Sequence, residues 1–148
     1  TLFPYTTLFR SGLNLISLKL YKLNIQIITI IEHRIKVVSD ETLKKKFNKI
    51  PENVDILISH DSPTLNELGY IHSGWNAGID AGNKILDDAI KEKKPLMFFS
   101  GHIHSGNHEF KKIGETWMAN VSYINENYKP FYPILEFSLN TENKEIIY

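Results

Sequence analysis

Two short apolar runs stand out along the chain, VDILIS at 54–59 and LMFF at 96–99. Runs of this length with no polar alternation suit strands buried on both faces, as in a parallel sheet. A helical pattern precedes the first run. Ser39 or Asp40 caps it, Glu41 and Thr42 suit its first turn, and Leu43, Phe47 and Ile50 share one face, with the lysines mostly elsewhere. Pro51 ends it. Residues 63–76, with Gly69 and Gly74, read as loop, and 77–91 as a second helix carried by Ile79, Leu86 and Ile90. Pro95 separates this helix from the second run. Beyond that run, Ile113 and 116–121 predict a third strand. Residues 132–139 predict a last one, where Ile134, Glu136 and Ser138 alternate with Leu135, Phe137 and Leu139. Strands alternating with helices define an α/β fold.

The N-terminal part is less regular. The β-branched stretch 24–31 reads as a strand. The first eleven residues, TLFPYTTLFRS, show no helical or strand periodicity and resemble a translated sequencing adapter more than a protein family. They are expected to make few contacts with the rest. The division that follows is 1–38 as a segment apart, with 39–148 carrying the domain.

Composition narrows the classes. With 148 residues, 42% hydrophobic and 23% charged, the chain is long and apolar enough for a packed domain or a large piece of one. A formal net charge of zero gives no support for a nucleic-acid surface or an anionic membrane partner. With no cysteine, disulfide scaffolds and Cys-ligated zinc are excluded. A cytoplasmic location is compatible with this. The apolar stretch 13–31 is interrupted by Lys19, Lys22, Asn24 and Gln26, so it does not read as a membrane span.

The candidate chemistry lies where the apolar runs end. VDILIS runs into His60-Asp61, and LMFFS runs into Gly101-His102-Ile103-His104. Ligands of open α/β sheets gather outside the carboxyl ends of the strands, and neutral imidazole is the commonest metal ligand among side chains. A His-x-His pair in a turn aims two rings at one place, and Gly101 lets the backbone approach closely. His60, His102 and His104 are therefore a candidate metal cradle. Asp61 is placed to steady a neighbouring histidine, or else to form the turn before Ser62-Pro63. His33 and His72 read as loop residues without chemistry, and Trp75 and Trp117 as packing residues.

With these motifs in place, the order helix, IPENVDILISHDSP, helix, KKPLMFFSGHIHSG, MANVSYINENYKPFYPILEF resembles the last part of calcineurin-like metallophosphoesterases, over residues 39–139. NVSYINENYKP makes it most similar to the small group related to cyclic-nucleotide phosphodiesterases. The resemblance implies the C-terminal part of a four-layer α/β/β/α sandwich. It also implies two divalent metal ions (Mn, Fe or Zn) about 3.5–4 Å apart, a small phosphoester substrate and hydrolysis of phosphodiesters. His60 and His102 would ligate one ion and His104 the other, with Gly101 setting the turn. The family's Asp-x-His and Gly-Asp motifs do not occur here. Gly106-Asn107-His108-Glu109 spells the family's Asn-His motif but stands after His104 instead of well before His60, and reads as an exposed-loop coincidence. Asn120-Val121-Ser122 matches a glycosylation acceptor, and the family strand is the better reading. The rival readings are a catalytically inactive fragment or binding module, and another His-x-His hydrolase such as an amidohydrolase. The residues after His104 fit that last class poorly.

Overall fold

The structure, a computed structural model, describes residues 5–11, 14–20, 26–30, 39–140 and 142–147. In chain order its elements are β1 Tyr5–Ser11, β2 Asn14–Leu20, β3 Ile27–Ile30, α1 Asp40–Phe47, β4 Ile56–Ser59 and a 3-10 turn at Leu65–Glu67. These are followed by α2 Lys84–Lys93, β5 Met97–Ser100, β6 Lys111–Ile113, β7 Thr116–Asn120, β8 Ser138–Asn140 and β9 Glu145–Ile147. The central sheet has the order β3-β4-β5-β7-β6. Its first four strands are parallel and β6 closes the edge antiparallel to β7.

The two apolar runs are β4 and β5, every residue of which is buried. Period-two geometry explains why both faces must be apolar. Leu57, Phe98 and Met118 pack on one face against Leu43 and Phe47 of α1 and Leu86, Ala89 and Ile90 of α2. Ile56, Ile58, Met97, Phe99 and Ala119 face the other way, onto Phe110, Leu135, Phe137, Leu139 and Ile146. The helices thus form one layer and the C-terminal segment with the β8-β9 hairpin covers the other face. The architecture is a mixed α/β fold, as expected.

Local chemistry accounts for the helices. The Ser39 side chain accepts from the Thr42 amide and caps α1, whose Leu43 and Phe47 are buried. The helix expected over 77–91 begins later, at Lys84. Gly78 holds φ +91 and Tyr70 bridges to Asp80, so 77–82 turns back on the preceding loop instead of coiling. Asn83 then caps α2, its Oδ1 accepting from the amides of Ile85 and Leu86. The strand expected over 132–139 pairs only from Ser138. Pro133 has no amide proton to give a ladder, yet the alternation still holds, with Leu135, Phe137 and Leu139 turned toward the core. Residues 5–11, for which no strand was expected, form β1, paired with β2 in a two-stranded sheet of its own. Tyr, Thr, Leu and Phe in that run have high β propensity despite lacking alternation. The strand expected over 24–31 is β3, and His33 lies outside the described residues. Among the described residues no helix is long and apolar enough to cross a membrane.

Asn83 supports α2 from both sides, because its Nδ2 also donates to Asp61. Asn83→Ala is expected to destabilise the chain by about 1–2 kcal/mol, read as a lower urea midpoint with an unchanged slope. An unchanged midpoint would remove the capping role.

Candidate metal centre

The register of the sheet lines up polar residues at the carboxyl ends of its strands. Ser59 pairs with Ser100 and Ser100 with Asn120, and all are buried. Each strand then releases its candidate ligand or support on the next step. His60 follows β4, Gly101-His102 follows β5, and Ser62 ties the two ends together. The Ser62 hydroxyl, itself buried, donates to the Gly101 carbonyl at 2.8 Å and lies 3.1 Å from the Ser100 hydroxyl.

This places His60 and His102 in contact. His60 Nε2 and His102 Nδ1 are 3.1 Å apart and the ring centroids 4.9 Å apart. As neutral imidazoles, one nitrogen donates to the other. The spacing also meets a metal's requirement. Two imidazole nitrogens each about 2.0–2.1 Å from one ion, at tetrahedral to octahedral angles, lie about 2.8–3.4 Å apart. The donor set and its spacing therefore fit a divalent ion at His60 and His102.

His104 is treated differently. Its ring is half-buried, its Nδ1 lies 3.1 Å from the Asn125 carbonyl, and its centroid stands 5.1 Å from that of Tyr128, edge to face. A carbonyl only accepts, so Nδ1 carries the proton and Nε2 the lone pair. Metal-binding histidines are commonly oriented this way, by a carbonyl on the nitrogen away from the ion. In this structure His104 is turned to the Asn125 carbonyl and Tyr128. Among the described residues, no three His, Cys, Asp or Glu groups close around a metal-sized gap.

The support residues differ from expectation. The positive φ of the turn falls on His102, at +59, in the left-handed region. The Ile103 amide bonds back to the Gly101 carbonyl at 2.6 Å, closing a three-residue turn centred on His102. Gly101 contributes its carbonyl, which receives both Ile103 and Ser62. Asp61 does not steady a ring nitrogen: its Oδ2 accepts from Asn83 Nδ2 at 3.0 Å and so joins the site loop to the cap of α2.

The segment 106–109 is no exposed coincidence. Gly106 is buried, and a Cβ there would stand 2.2 Å from the Leu68 carbonyl oxygen and 2.6 Å from Asn120 Nδ2, so only glycine fits. Asn107 Nδ2 donates to the Asn66 carbonyl. His108 is half-buried, stacked on Tyr132 at 3.7 Å between centroids, and its Nε2 donates to the His104 carbonyl at 2.8 Å. Other contributors went unnoticed in the sequence. Asn120 Nδ2 donates to the Ile103 carbonyl, Glu126 accepts from the Ser105 amide at 2.9 Å, and the Ser105 hydroxyl accepts from the Ser73 amide. The stretch NVSYINENYKP at 120–130, which narrowed the resemblance to its subgroup, supplies Asn120, Asn125 and Glu126. His72 lies against Glu67 and Tyr70, Trp75 is wholly exposed, and Trp117 packs on Phe110.

The chain is similar to metallophosphoesterase domain-containing protein 1 of Homo sapiens and of Mus musculus, 32% identical to each over 102 residues. That match covers 68% of this chain and 30% of each relative. It is also similar to UPF0046 protein T07D4.2 of Caenorhabditis elegans, 31% identical over 87 residues, covering 59% of this chain and 21% of the relative. The chain thus spans less than a third of the length of these relatives. No family model matches the chain, and no solved structure matches it. The relatives' names point to a metallophosphoesterase family.

Burial holds the His108 imidazole below its ordinary pKa. The carbonyls of His104 and Asn120 pull the other way, and His72 adds a further lowering. With the folded value below the unfolded value near 6.5, the neutral ring contributes stability above about pH 6.5. That contribution is lost as pH falls through the folded value. Urea unfolding at about pH 7.5 and about pH 5.5 should show wild-type stability falling more on acidification than that of His108→Phe. An equal fall in both chains would contradict the lowered pKa.

Proposed function

We propose that this chain is the C-terminal, histidine-bearing part of a cytoplasmic metallophosphoesterase that hydrolyses small phosphodiesters at a two-metal site, within a four-layer α/β/β/α sandwich. The observation that carries this reading is the 3.1 Å contact of His60 and His102 beyond the carboxyl ends of β4 and β5. His104, two residues on, has its tautomer set by Asn125. The relatives' printed name agrees with it. His60 and His102 would hold one ion, and His104 would serve the second through Nε2. Bound there, divalent ions supply charge neutralisation at the phosphoryl oxygens and a more acidic water. The protein's own share is to orient the imidazoles, and Tyr128 shields one face of His104.

Neutral histidines do not offset the charge of two dications. The carboxylates that would do so are assigned to a longer protein in which this segment resides, as the matched segment resides in relatives more than three times its length. The runner-up reading, an inactive remnant or binding module, draws on the same lack of the Asp-x-His and Gly-Asp motifs in this sequence.

Calorimetric titration with zinc or manganese is expected to show one weak site in the 148-residue chain, removed by His102→Ala. Turnover of a chromogenic phosphodiester in manganese should be negligible for this chain. Robust metal-dependent turnover would overturn the half-site reading. Wild-type titration curves no different from those of His102→Ala would overturn the metal reading itself.

A further inference from the structure

The His102 turn is unfavourable in itself, so something must hold it. Its three flanking carbonyls are each taken by a side chain from a different part of the fold. Ser62 takes Gly101, Asn120 takes Ile103, and His108 takes His104. Ser62 belongs to the loop after β4, Asn120 ends β7, and His108 lies on the packed loop before β6. Asn120 is buried, and its Oδ1 is fixed in turn by the Ser122 amide at 2.8 Å. Its amide orientation is therefore set: Oδ1 faces a donor and Nδ2 faces a carbonyl. His108 is pressed between Tyr132 and the turn. Asn120 acts on the backbone between His102 and His104, and His108 on the carbonyl just beyond His104.

We propose that Asn120 and His108 are positioning residues: by holding the carbonyls of Ile103 and His104, their side chains lock the left-handed His102 so that its ring meets His60. Asn107 and Gly106 complete the brace. The Asn120 amide bonds to the Asn107 carbonyl at 3.1 Å, and Gly106 leaves room for Asn120 Nδ2. The inference rests on the metal reading only for what the pair ligates, since the locked His60–His102 contact is a property of the chain alone.

The test separates hydrogen bonding from packing. Asn120→Asp keeps the acceptor for Ser122 and removes the Nδ2 donor. His108→Phe keeps a ring on Tyr132 and removes the Nε2 donor, whereas His108→Gln keeps a donor without the ring. Imidazole nitrogen resonances of His60 and His102, recorded on the labelled metal-free chain, report the contact directly. Asn120→Asp and His108→Phe are expected to shift both sets while the far-ultraviolet circular dichroism stays that of wild type, and His108→Gln to restore them in large part. Zinc affinity should fall about 10–100-fold in the first two variants. Unchanged His60 and His102 resonances in Asn120→Asp overturn the proposal whatever the zinc affinity, and they do so even where His108→Phe fails to fold. If wild type binds no zinc but the resonances still shift in the variants, the brace stands and the metal reading falls.

Discussion

A residue other than glycine in the left-handed region costs about 1–2 kcal/mol, and His102 takes that conformation at φ +59 immediately beyond β5. The rest of the site follows from how that cost is offset. An ordinary extended step after Gly101 would carry the chain onward in the line of β5. The tight turn instead reverses it, so the His102 ring lies against His60 at the end of the neighbouring parallel strand. Such strain persists where the surroundings over-determine the geometry. Here the surroundings are a buried serine, a buried asparagine and a stacked histidine, each spending its hydrogen bond on a carbonyl of the turn.

That arrangement needs a rigid floor, and the parallel sheet provides it. Ser59, Ser100 and Asn120 occupy the same transverse row because β4, β5 and β7 run in one direction and in register. Residues that follow the row emerge on one edge of the sheet together. The doubly covered strands hold this register tightly, since a slip of one residue would exchange the sets facing the helices and the C-terminal segment. Leu57, Phe98 and Met118 would then exchange places with Ile58, Phe99 and Ala119, whose shapes suit the other layer.

The parts of this design that were legible in the sequence are those with a local signature. β4 and β5 showed as short apolar runs, α1 through its Ser39 cap, although it ends at Phe47 with Asn48 as its C-cap and not at Pro51, and His60 and His102 through their place after those runs. The late start of α2 was obscured because Ile79 happens to fall near helical spacing, although Gly78 breaks the coil. The last strand had the right faces and the wrong pairing, because alternation reports burial and is silent about ladder partners. The brace was invisible for a different reason. Asn120 reaches 17 residues back to Ile103 and Asn125 receives His104 from 21 residues away. A side chain bonded to a distant carbonyl leaves no periodicity. His108 stood in a tetrapeptide placed after His104, out of the family's order, and its bond to the His104 carbonyl has no signature in the sequence.

Charge shows what kind of site these residues make by themselves. Two carboxylates of the site loops, Asp61 and Glu126, both have structural work. Asp61 holds the cap of α2 through Asn83, and Glu126 accepts the amide of Ser105. Turning either toward an ion would leave a donor unmet, at a cost of about 1–3 kcal/mol. Asp87 is buried and receives the amide and hydroxyl of Thr64. On the proposed reading these residues offer imidazole nitrogens, and the negative charge that two ions side by side require would come from another segment.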